Sequence, residues 1–247
     1  MSSRPHGPGP GIRLEDVTVR FPRGDALRGV SLAVPAGEFA VVTGPNGAGK
    51  STLLEVVAGV CPPTRGRRRV HGSLAFVPQR AAVPAGLPLT AQDVVEVGTW
   101  GRLGALRRRD RRAREAVGAA MDRVAVRTLA RHPFAALSGG QQQRVLLAQG
   151  LASCADVLLV DEPTTALDAE SVARIRGVLR DEARRGAVVL CVTHDAALIQ
   201  DAHREIALRD GVLVRHSVEQ GSPQGVGSET VPHVEVGERR DVDVSEC

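Results

Sequence analysis

The segment Gly44-Pro-Asn-Gly-Ala-Gly-Lys-Ser51 lies between an apolar run at residues 38–43 and a stretch whose apolar residues, Leu53, Leu54, Val56 and Val57, have helical spacing. Glycines at 44, 47 and 49 let the backbone curl so that successive N–H groups converge on one point. A helix starting near Lys50 turns its positive end to the same point. This strand–loop–helix order fits G-x-x-x-x-G-K-[ST] in its required context and demands an α/β fold with the loop at the carboxyl end of a strand. The chemistry it implies is phosphate binding, with Gly44, Pro45, Asn46, Gly47, Ala48, Gly49, Lys50, Ser51 and Thr52 as the cradle. The Lys50 ammonium is a mobile point charge that reaches β and γ phosphates, and the Ser51 hydroxyl can ligate Mg²⁺.

Basic residues number 32, and Lys50 is the single lysine among them. A compact ammonium fits between phosphates where a planar guanidinium does not, so this chain keeps lysine where the loop needs it. The arginines cluster at Arg65, Arg67, Arg68 and Arg69 and again over residues 102–114. Such clusters serve either as contacts to nucleic acid or lipid headgroups or as plain solvated surface. With four Phe, one Trp and no Tyr there is little to stack on bases, so no nucleic-acid partner is expected.

Residues 1–11 are rich in Pro and Gly and lack an apolar signal region, and they are expected to form a flexible tail. Strands are expected at 12–21, 27–34 and 38–43, as a pair within 68–79, and at 157–160 and 187–192. A hairpin over 206–214 should turn at Asp210-Gly211. Helices are expected after Thr90 as N-cap, over 110–126, over 139–151, over 169–184 and from Asp195. Residues 80–150 thus form a helical insertion between strand-rich halves. The alternation of strands and helices implies a mostly parallel sheet.

No apolar run approaches the roughly 20 residues that span a bilayer. Cys61, Cys154, Cys191 and Cys247 are scattered without a C-x-x-C pair, which suits a reducing, cytosolic setting. Residues 217–247 carry seven acids against Arg239 and Arg240 and are expected to be a disordered acidic tail. His216, His233 and Cys247 lack metal-ligand spacing.

Hydrolysis of a bound nucleotide needs a metal, a base and charge stabilisation. Val157-Leu-Leu-Val-Asp-Glu-Pro163 places Asp161 at a strand's carboxyl end, suited to the Mg²⁺ shell. Glu162 follows and can polarise an attacking water. Alone, this acidic pair would be read as helix capping; beside Lys50 it completes a site for MgATP.

Leu137-Ser-Gly-Gly-Gln-Gln-Gln-Arg144 resembles the signature of ABC transporter ATP-binding subunits. Gln79 resembles their Q-loop glutamine, Ala166-Leu-Asp168 their D-loop and His194 their switch histidine. Phe21 stands where the family places an adenine-stacking aromatic, usually Tyr. The resemblance covers about residues 12–216. It implies a P-loop NTPase of the ABC ATPase type, with a mostly parallel core, an antiparallel β part and the inserted helical subdomain at about 80–150. It implies ATP and Mg²⁺ as cofactors, Gln79 as metal contact and mechanical link, and His194 beside the γ-phosphate. Ser138, Gly139, Gly140 and Gln141 would close over the γ-phosphate held by a second copy, in a head-to-tail dimer.

The resemblance further implies a separate transmembrane permease, an extracytoplasmic solute-binding protein acting indirectly, and a place on the cytoplasmic face of the membrane. Pro88-Leu-Thr90 followed by Asp93-Val-Val-Glu-Val-Gly98 is similar to the ATPases of zinc and manganese importers, with iron-chelate or other small-solute importers as the alternative. A soluble ABC protein of DNA repair or translation would show long heptad runs or a second ATP domain, and neither is present. A sensor that binds ATP without turnover would not need both Glu162 and His194.

Overall fold

The computed structural model describes residues 11–22, 24–80, 87–100, 111–165 and 167–218. An antiparallel sheet holds β1 (Gly11–Phe21), β2 (Gly24–Pro35) and β4 (Arg65–His71) in the order β2-β1-β4. A second sheet has the order β5-β6-β7-β3-β8-β9. Its strands β5 (Leu74–Val77), β6 (Val157–Asp161), β7 (Val188–Val192), β3 (Phe39–Thr43) and β8 (Arg204–Arg209) run parallel. Only β9 (Val212–Val218) is antiparallel, joined to β8 by a turn at Asp210 and Gly211. Both turn residues have positive φ, 49° and 77°, as a tight hairpin requires.

The central strands are apolar throughout because both of their faces are covered. Ala40 and Val42 of β3 pack into one core with β1, β2 and helix α1 (Lys50–Ala58). Phe39 and Val41, pointing the other way, join a second core with the inserted helices. Helix α1 is thereby clamped between the two sheets through Leu53, Leu54, Val56 and Val57, all 0% exposed. Each buried leucine contributes about 1.5–3 kcal/mol. The helix stops at Gly59, whose left-handed backbone (φ 80°) caps it.

The described part of the insertion between β5 and β6 is helical. It holds α2 (Ala91–Val97), α3 (Arg111–Arg123), two 3₁₀ turns and α4 (Gly139–Ala152). Thr90 caps α2 as expected, in a reciprocal box with Asp93. Helices α5 (Ala169–Arg184) and α6 (Ala196–Asp201) complete the fold. Glu182 of α5, 2% exposed, is held at 2.5 Å by Arg123 of α3 and at 2.5 Å by Arg185. This ion cluster ties the insertion to the core.

Two expectations shift at the ends. Gly11, placed in the N-terminal tail, opens β1 and pairs with Pro35 and His71. Ser217 and Val218, placed in the acidic tail, continue β9 opposite Glu205 and Arg204. Backbone pairing to a neighbouring strand overrides the weak local pattern in both cases. Residues 1–10 and 219–247 lie outside the described residues, as do 81–86 and 101–110 of the insertion, and with them most of the second arginine cluster. Among the described residues, no helix is long and apolar enough to cross a membrane.

Candidate nucleotide site

The loop after β3 leads into α1 with Gly49 in a left-handed conformation (φ 100°) at the N-cap. No side chain caps this helix and no acid lies in its first turn, so its leading N–H groups face outward for an anion. A cavity of about 310 Å³ opens over this end. Asn46, Gly47, Gly49, Lys50, Ser51, Thr52, Gln79, Asp161 and Glu162 line it. The Lys50 Nζ donates to the carbonyls of Gly44 (2.7 Å) and Pro45 (3.0 Å), so the ammonium arches across its own loop.

Asp161 closes β6 beside the loop. Burial raises its carboxyl above the usual carboxylate range and the Glu162 charge raises it further. Lys50 and a hydrogen bond with Ser51 act in the opposite direction. Glu162 takes a left-handed backbone (φ 47°), uncommon for a non-glycine residue, and its N–H donates to the Val192 carbonyl at 2.9 Å. That bond anchors the bend between β6 and the end of β7. His194, two residues past β7, brings Nδ1 to 2.8 Å from Glu162 Oε2. The distance is that of an ion pair but the alignment is not that of a hydrogen bond, and the buried Oε2 has no hydrogen-bond donor. The Glu162 side chain is 14% exposed and that of His194 77%.

The remaining expected residues lie around this centre. Gly44 and Ala48 pack behind the loop: Ala48 is buried, and a side chain on Gly44 would meet the Leu208 carbonyl. Gln79 also borders a neighbouring cavity of about 380 Å³, shared with Gly139, Gln142, Gln143 and Thr165. Ser138 caps α4: its hydroxyl accepts from the Gln141 N–H (3.3 Å), and its own N–H donates to Gln141 Oε1 (2.9 Å). None of Ser138, Gly139, Gly140 and Gln141 lines the Lys50 cavity. Phe21, 44% exposed, sits at the β1–β2 hairpin and does not line it either. Ala26 and Val192 do, although no motif marks them. Only tertiary packing brings them to the loop.

The assembled groups can bind a polyphosphate, hold a hard cation beside it and polarise a water. Comparison with known proteins supports the first of these. The family model described as ABC transporter matches residues 27–165, more than half of the chain. The manganese transport system ATP-binding protein of Bacillus subtilis (strain 168) is 36% identical over 198 residues, 77% of this chain and 79% of that protein. The zinc import ATP-binding protein of Cereibacter sphaeroides is 38% identical over 220 residues, 88% of this chain and 84% of that protein. Among solved structures, a dimeric ATP-binding cassette in a post-hydrolysis state with ADP and Pi superposes with a TM-score of 0.75 at 30% identity, covering 85% of this chain and 100% of that one. A metal-chelate type ABC transporter in an inward-facing conformation gives 0.75 at 27% identity, covering 85% and 83%. A cavity built on Lys50, Asp161 and Glu162, a complete signature segment and these relatives together place the chain in the ABC transporter family, as an ATP-binding ATPase.

Proposed function

We propose that this chain powers import of a zinc or manganese ion by hydrolysing MgATP, as one of two identical subunits under a separate permease on the cytoplasmic face of the membrane. The observation that carries the hydrolytic part is the convergence of Lys50, Ser51, Asp161 and Glu162 on one cavity, with His194 against Glu162. Residues 44–52 cradle the phosphates with backbone N–H groups, and Lys50 leaves its carbonyl partners for the β and γ oxygens. Phe21 lies against the adenine. Glu162 orients the attacking water and accepts its proton, and His194 steadies that water and the γ-phosphate.

The donor set suits Mg²⁺, since a hydroxyl and a carboxylate are hard oxygen ligands. Asp161, whose half-buried charge Lys50 and Ser51 offset only in part, gains from a cation beside it. Ser51, Asp161 and Gln79 would hold the ion, which supplies charge neutralisation at the phosphates.

The placement of the signature supports dimerisation. Ser138, Gly139, Gly140 and Gln141 stand apart from the chain's own Lys50 cavity. A side chain on Gly139 would meet nothing within 4 Å, so nothing in the described chain itself calls for glycine there. A second copy's γ-phosphate does, because it needs close backbone approach.

Relatives point to the cargo: the similar proteins named above serve manganese and zinc transport. The likeness to a metal-chelate type transporter favours an iron-chelate importer as the second reading. Proteoliposomes carrying the chain, its permease and an external solute-binding protein separate the two. Phosphate release should rise with zinc- or manganese-loaded binding protein and stay flat with a ferric chelate. Stimulation by the chelate alone would reverse the assignment.

A further inference from the structure

The loop that carries Lys50 is shaped by two segments outside it. A Cβ on Gly49 would lie 2.4 Å from the Ala26 carbonyl oxygen, and one on Gly44 2.1 Å from that of Leu208. The loop therefore packs backbone to backbone on the start of β2 and the end of β8. The Asp210-Gly211 turn locks the same arrangement, since the Gly211 N–H donates to the Ala48 carbonyl at 3.1 Å. Gly211 in turn sits so close to Ala26 that a Cβ would lie 2.7 Å from its carbonyl oxygen.

Arg28 of β2 closes this set. Its backbone N–H donates to the Gly211 carbonyl at 2.8 Å. Its guanidinium grips the Asp210 carbonyl with two donors, Nε at 3.1 Å and Nη2 at 2.6 Å. The fork suits this contact; an ammonium can offer a lone point of charge but not the paired donors. Among the described residues no carboxylate lies within ion-pair distance of Arg28, although Asp25 feels its charge at longer range, and the turn is the hydrogen-bond partner the structure gives its guanidinium.

We infer that Arg28 is a positioning residue for the phosphate loop. It holds the Asp210-Gly211 turn against Ala48, and the turn holds the loop with its N–H groups aimed at one point. The inference rests on the reading that this loop binds ATP. Arg28 touches no reacting atom. Its loss should therefore weaken nucleotide capture, because the loop must then be ordered on binding, and leave the chemical step alone.

The test is the full-length chain titrated with a fluorescent ATP analogue and assayed for phosphate release over a range of MgATP. Arg28→Ala should raise Kd and KM by about five- to tenfold, the size of one exposed charge-assisted hydrogen bond, with kcat within about twofold. Arg28→Lys should rescue part of the loss and raise KM by about two- to threefold. Arg13→Ala, which removes an exposed arginine paired to Glu15 away from the loop, should behave as wild type. A fall in kcat or in signal amplitude at unchanged KM would mark simple loss of folded protein and overturn the inference, as would wild-type KM in Arg28→Ala. If Arg28→Ala does not fold, wild-type KM in Arg28→Lys overturns it equally. A wild-type chain that binds no analogue would refute the ATP site itself, a separate failure.

Discussion

His194 Nδ1 stands 2.8 Å from Glu162 Oε2, joining the residue after β6 to the residue two places past β7. The carboxylate is nearly buried, the imidazole largely exposed, and the Oε2 atom has no well-aligned donor. The pair thus sets an imidazole against a carboxylate residue that lines the phosphate cavity.

Glu162→Gln should keep ATP binding and slow hydrolysis by about 10²–10⁴-fold, the range for loss of a positioned base. Phosphate release and equilibrium titration on the same preparation check this. Turnover close to wild type would remove Glu162 from the chemistry.

The raised Asp161 carboxyl makes a pH prediction. A carboxyl whose folded pKa lies above its unfolded value stabilises the fold fully only below the unfolded value, and that contribution is lost as pH rises through the folded one. At pH 7, without nucleotide, the ionised Asp161 is therefore a net cost. Asp161→Asn should melt at or above wild type at pH 7, with the advantage shrinking below about pH 4, while Mg²⁺-dependent hydrolysis is lost. Thermal melts across pH test it, and a variant less stable than wild type at pH 7 would contradict the burial argument.

Glu182→Ala should destabilise by about 3 kcal/mol, the low end for breaking a buried ion pair, because Arg123 and Arg185 both reach solvent. Urea denaturation measures the shift in midpoint. A midpoint within error of wild type would show that the cluster does not hold the helical insertion to the core.

Local chemistry explains what could be read before folding. The Lys50 loop, its strand and its helix are contiguous, so glycine spacing and apolar runs reveal them together. Asp161 and Glu162 likewise follow directly on an apolar strand. The Thr90 cap and the Asp210-Gly211 turn are legible for the same reason: their determinants sit within three residues. What stayed hidden depends on distant partners. Ala26 and Val192 reach the cavity only through sheet packing, and Arg123 meets Glu182 across 59 residues. The left-handed backbone at Glu162 is fixed by a hydrogen bond to Val192, which no local pattern announces. Gly11 reads as tail because its partners Pro35 and His71 lie far off in the chain, and Val218 because the acidic segment it adjoins masks its pairing with Arg204 across the hairpin.

Gly139→Ala should leave the isolated chain's melting temperature unchanged or slightly higher, since the added methyl enters open space and alanine favours helix. The same variant should lose ATP-dependent pairing and cooperative turnover. Full pairing in this variant would show that the signature helix end does not approach a second copy's nucleotide.

Light-scattering mass of Glu162→Gln with MgATP tests the shared site most directly. A stable head-to-tail pair predicts twice the 26.0 kDa of the single chain, reverting to one chain when ATP is removed. A species of 26.0 kDa with ATP bound would contradict a site completed by a second copy.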